Sequence, residues 1–115
     1  MNKEFMMELS SKQRAYLRSL ASNLDPLFSI GKNGLTPEVT EAVSEAFANR
    51  ELIKLNIQKN LAENEDKASL MAMADMLAER TKSTNVCLTG RKLVLYKPFS
   101  GEKEKRDDRI ILPKK

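Results

Sequence analysis

Two glycines three residues apart, Gly31 and Gly34, enclose Lys32 and Asn33, and a helix start follows at Thr36-Pro37. Glycine lets backbone N–H groups turn outward and lets another chain come close. Asparagine tolerates the left-handed region. The helix N-terminus just beyond adds free N–H groups and a partial positive charge. A phosphate at this tip would meet backbone donors, a helix dipole and the Lys32 ammonium together. The loop lacks the G-x-x-x-x-G-K-[ST] spacing of a nucleotide-binding loop, so bound ATP or GTP is not expected.

Other chemistry is thinly supplied. The 115 residues include no histidine and one cysteine, Cys87. The commonest general base, the commonest metal ligand and a typical zinc site are therefore missing. No intrachain disulfide can form. Cys87 alternates with apolar neighbours in NVCLTG, where packing is its expected role. The acid pairs Glu65–Asp66 and Asp107–Asp108 read as a helix start and part of a solvated tail. The expectation is a protein that is not an enzyme, uses no cofactor or metal and takes no small-molecule substrate.

The formal charge is +4 and the pI about 9.3, which favours an anionic partner. The charge is uneven. Residues 37–64 carry three basic and five acidic groups, and the basic excess lies elsewhere. Candidate phosphate contacts besides Lys32 are Arg14 and Arg18, four apart on the first helix; Lys54, beside Asn56 and Gln58; and Arg91 and Lys92 at a hairpin tip. Aromatic residues are 5% of the chain, which argues against a base-stacking sheet. Tyr96 is weighed as a stacking residue against simple packing. No apolar run approaches the ~20 residues of a membrane span. The N-terminal MNKEFMMELSSK does not read as a secretory signal, so a cytoplasmic protein is expected.

These residues need elements to position them. Ser10–Leu24 reads as a helix with Ser10 and Gln13 as a capping box, and with Tyr16, Leu17, Leu20, Ala21 and Leu24 on one face. Asp25-Pro26 stops it. Leu27–Ile30 reads as a short buried strand, central in its sheet. Thr36 caps a second helix running to about Arg50, with Val39, Ala42, Val43, Ala46 and Phe47 inward and Glu38, Glu41 and Glu45 outward. Glu51–Gln58 alternates as a half-exposed strand. A third helix spans about Glu65 to Thr81, its methionines Met71, Met73 and Met76 filling gaps in the core. Thr84–Lys97 reads as a β-hairpin turning at Gly90. In the charged tail, RIIL is a last strand or a latch.

The order α-β-α-β-α-β-β predicts one compact α/β domain with a four-stranded mixed sheet packed with helices. Its two crossovers should each be right-handed where the strands are parallel.

The pieces LSSKQRAYLRSLA, IGKNGLTPEV, ELIKLNI and VCLTGRKLVLYKP stand in an order and spacing that resemble the YhbY-type, or CRM, family of RNA-binding domains. The resemblance covers residues 9–98 and leaves 99–115 as a tail. It implies a fold similar to the C-terminal domain of translation initiation factor three. It also implies a G-x-x-G loop, Gly31, Lys32, Asn33 and Gly34, used on RNA as in KH domains. For single-domain bacterial members it implies binding to large-subunit ribosomal RNA precursors in pre-ribosomal particles. The alternative function is a protein adaptor on such particles, working through the acidic face of the second helix.

Overall fold

The computed structural model describes residues 9–31, 34–58, 66–99 and 109–114. Helix α1 spans Ser11–Ala21. The expected capping box is present: the Gln13 N–H donates to Ser10 Oγ and the Ser10 N–H to Gln13 Oε1, both at 3.1 Å. The N–H of Asn23 donates to Leu20 O and that of Leu24 to Ala21 O. The chain therefore leaves the helix in tighter three-residue turns, which rotate Leu24 off the buried stripe. Leu17 and Ala21 are buried, Leu20 is half-buried, and Tyr16 and Leu24 are exposed.

Strand β1 is Phe28–Ile30, helix α2 is Pro37–Ala46 and strand β2 is Leu52–Ile57. The end of α2 expected up to Arg50 instead winds as i→i−3 turns through Asn49. Helix α3 is Lys67–Thr81, begun by Asp66, whose carboxylate accepts the Ser69 N–H at 2.7 Å. That bond holds the Asp66 carboxyl below its ordinary pKa. Strands β3 (Thr84–Thr89) and β4 (Lys92–Tyr96) form the hairpin. Gly90 takes φ +59° at the first central position of its two-residue turn, and Arg91 has no positive φ. This excludes a type I′ turn and fits type II′.

The sheet order is β1-β2-β4-β3. β1 pairs parallel with β2, and β4 runs antiparallel between β2 and β3. This corrects the central placement of the first strand: β1 is an edge. Three residues give it one short ladder, and β4 takes the far side of β2. Both crossovers move the chain the same way across the sheet, so equal handedness requires α2 and α3 on one face. They are on one face: Val43, Phe47, Leu70, Leu77 and Ala78 share a core with Ile30, Ile53, Leu55, Ile57, Leu93 and Leu95. Of the eight wholly buried leucines and isoleucines among the described residues, seven lie in this core. Each contributes about 1.5–3 kcal/mol on burial.

The opposite face carries a smaller core of Leu17 and Ala21 against Leu52, Val86, Val94 and Tyr96. Met71 and Met73 pack against the larger core as expected, but Met76 is exposed. The register shifts between Asn85, paired with Leu95, and Cys87, paired with Val94, so the intervening Val86 is the extra residue of a bulge. The bulge sets Val86 on the α1 side and returns Leu88 to the α3 side.

The C-terminal segment is a latch and makes no strand among its described residues. Ile110 and Leu112 pack on the α1 core, and Gln13 Nε2 donates to Pro113 O at 3.0 Å. The buried Glu51 carboxylate accepts the Phe99 N–H at 2.6 Å on one oxygen and the Ile110 N–H on the other. Residues 100–108 between these two anchors, with Asp107–Asp108, lie outside the described residues.

Candidate nucleic-acid interface

The chain leaves β1 at Gly31, after the Gln58 N–H has donated to Ile30 O at 2.9 Å. Gly34 N–H then donates back to Gly31 O at 2.8 Å and closes a four-residue turn. Gly34 has φ +66° and open space where a Cβ would stand. Its glycine is required by backbone conformation and not by crowding. At Gly31 a Cβ would lie 3.1 Å from Oε1 of the exposed Gln58 side chain, a crowding that a small movement of that side chain relieves. Lys32 and Asn33, the tip of the turn, lie outside the described residues.

The helix behind the turn offers fewer donors than its position suggests. Pro37 has no N–H, and the Val39 N–H is taken by Thr36 Oγ1 at 3.2 Å. Glu38 adds a carboxylate to the first turn. The Gly34 amide is occupied by the turn itself. The cradle of several backbone donors expected from the sequence is correspondingly narrower.

The hairpin tip stands at the same end of the sheet. Ile57 N–H donates to Arg91 O at 2.7 Å, so Arg91 lies against the strand end that neighbours Gly31. Arg91 and Lys92 are exposed. The pairings Ser29↔Asn56, Asn56↔Lys92 and Thr89↔Lys92 form one row across all four strands. Alternation along β2 and β4 sets this row on the α1 side. Helix α1 covers the far end of that side, over Leu52 and Tyr96. Lys92 Nζ donates to Asn56 Oδ1 at 2.7 Å.

Lys54 is half-buried at the margin of α1, and its Nζ donates to Ala21 O and Leu24 O, each at 3.3 Å. It thereby caps the negative end of the helix. With Arg18 and Lys92 it lines a cleft of about 240 Å³ between α1 and the sheet. Arg14 is placed differently. One of its guanidinium nitrogens donates to Asn85 O at 2.7 Å and to Val86 O, so it covers the carbonyls of the β3 bulge.

Gly31, Gly34, Arg91 and Lys92 are thus gathered at one sheet end, Lys54 and Arg18 sit on the adjoining margin, and Arg14 is on the β3 edge. Tyr96 does not reach a base: it is 2% exposed. Burial, aided by the Glu51 charge, pushes its phenol up to about 12. Ser29 and Thr89 were not expected in the polar row. Their signal was alternation in FSI and in the last residues of NVCLT, beneath the apolar neighbours that dominate both runs.

This three-layer α/β domain leaves one polar end of its sheet open beside a glycine turn and a group of cations, an arrangement suited to an anionic partner. The chain belongs to the CRS1 / YhbY (CRM) domain family, whose model matches residues 9–97. It is 33% identical over 96 residues to Bacillus subtilis YqeI, named a probable RNA-binding protein, covering 84% of this chain and 95% of that one. It is also 33% identical over 110 residues to a Haemophilus influenzae protein named RNA-binding protein, covering 96% and 100% of the two chains. The solution structure of a Staphylococcus aureus protein superposes with a TM-score of 0.71 at 36% identity, covering 92% of this chain and 100% of that one.

Proposed function

We propose that this protein is a non-catalytic RNA-binding protein that grips the sugar-phosphate chain of large-subunit ribosomal RNA, within cytoplasmic pre-ribosomal particles, and acts in ribosome assembly. The observation that carries the reading is the Gly31–Gly34 turn, closed on itself and set beside the exposed Arg91 and Lys92. The two residues that this turn encloses in the sequence are Lys32 and Asn33. With much of the helix N-terminus already satisfied, the Lys32 ammonium is the loop's main attraction for a phosphate. The relatives' names support RNA as the ligand. The resemblance to single-domain bacterial CRM proteins supports the ribosomal target.

Contacts of this kind position a nucleic acid without reading its bases, so affinity should rest on phosphate and shape. Ultraviolet crosslinking in cells, followed by sequencing of the recovered RNA, tests the proposal. Reads concentrated on large-subunit ribosomal RNA and its precursors are expected. Reads scattered over the transcriptome contradict the ribosomal assignment, and failure to crosslink any RNA contradicts the binding itself.

A further inference from the structure

We infer that the cleft between the last turn of α1 and the open sheet is a second phosphate subsite, occupied by the same RNA strand that the Gly31–Gly34 turn holds; this rests on the RNA-binding reading above. Three elements each send one cation into the cleft: Arg18 from α1, Lys54 from β2 and Lys92 from β4. None of its lining residues is acidic. A concave site of one charge sign, walled by apolar groups such as Ala21 and Val94, concentrates its field on an incoming anion.

Two of the cations are already held in place. Lys54 Nζ is fixed by two carbonyls and Lys92 Nζ by Asn56. An ammonium has three N–H groups, so Lys54 keeps one for a phosphate oxygen and Lys92 keeps two. Holding them beforehand removes part of the ordering cost of binding. The Ser29–Asn56–Lys92–Thr89 row supplies a polar path from the β1 end, where the glycine turn begins, to the cleft wall. That path crosses two strand spacings, about 10 Å, within reach of the roughly four nucleotides a G-x-x-G domain clamps. No aromatic residue lines the cleft, so it takes the sugar-phosphate chain and not a stacked base.

The chain's single cysteine lies in the cleft wall and reports on it. Fluorescence anisotropy of a labelled single-stranded RNA measures binding, while the rate at which iodoacetamide alkylates Cys87 measures occupancy of the cleft. Saturating RNA should slow alkylation severalfold, and inorganic phosphate at matched ionic strength should slow it much less. The Arg18→Ala/Lys92→Ala double variant should bind about tenfold or more weakly. Its dependence of log affinity on log salt should flatten by about 1.4, two phosphate contacts on a single strand. The charge-keeping Arg18→Lys/Lys92→Arg pair should retain the slope, which separates charge from packing. RNA binding with unprotected Cys87 and an unchanged slope would overturn the cleft and leave the loop reading standing. Equal protection by free phosphate would overturn the shared strand. Absence of RNA binding by the unmodified protein at low salt would overturn the underlying reading itself.

Discussion

Glu51 shows how a single side chain can organise what surrounds it. Its two carboxylate oxygens take the Phe99 and Ile110 amides, and its charge helps hold the Tyr96 phenol in its neutral form. A phenol raised from 10.0 to about 12 contributes stability that is whole below pH 10 and is lost as pH climbs through about 12. In a Tyr16→Phe background, phenolate absorbance should therefore rise with a midpoint near 12, and adding Glu51→Gln should lower that midpoint. Tyr96→Phe should flatten the alkaline fall in unfolding free energy. Gly34 makes a separate prediction. Its φ of +66° costs an alanine about 1–2 kcal/mol, whereas asparagine enters that region more easily. Urea unfolding should show Gly34→Ala destabilised by about that amount and Gly34→Asn by less. Arg14, on the bulge carbonyls, should behave as a stability residue. Arg14→Ala should lower stability by about 1–3 kcal/mol through the stranded Asn85 and Val86 carbonyls, and should change RNA affinity far less than Lys32→Glu.

At the scale of elements, the latch joins the two ends of the described chain. Gln13 closes the α1 capping box with its oxygen and holds Pro113 with its nitrogen. Gln13→Glu keeps the acceptor and loses the donor. Limited proteolysis should then cut within residues 109–114 faster than in the unmodified protein, with helix content unchanged by circular dichroism. The elements most legible in the sequence are those written locally. Ser10 with Gln13, Thr36 with Pro37, Asp66 ahead of α3 and Gly90 in the hairpin each act within three residues, and each stands where the pattern predicted. Features settled by distant partners were not legible. The edge position of β1 depends on β4 taking the other side of β2. The outward turn of Leu24 depends on where α1 stops and how little of the sheet it covers. The burial of Glu51 depends on amides 48 and 59 residues away. The Val86 bulge, which sets Val86 and Leu88 on opposite faces, has no signal in the run of β-formers. Of the candidate site, the glycine turn and the hairpin cations were legible as local motifs. The joint cleft of Arg18, Lys54 and Lys92 was not, because it exists only once three elements meet.

For the whole molecule, two crossovers of the same sense place α2 and α3 together on one face, where most of the core lies. Among the described residues the other face carries α1 and the C-terminal latch at one end, with Ser29, Asn56, Lys92 and Thr89 in the row at the other. Most of the core thus lies on one side of the sheet, and the proposed RNA contact lies on the other. Arg18, Lys54, Arg91 and Lys92 lie toward that open end, and the proposed function adds Lys32 as a fifth cation. If all five meet phosphates of a single strand, log affinity should fall with log salt at a slope of about −3.5. Among the described residues, no helix is long and apolar enough to cross a membrane. The most direct measurement compares the unmodified protein with Lys32→Glu in low-salt filter binding to a large-subunit ribosomal RNA fragment, with thermal melts alongside. The account predicts at least about tenfold weaker binding with a melting temperature nearly unchanged; equal affinities would contradict it.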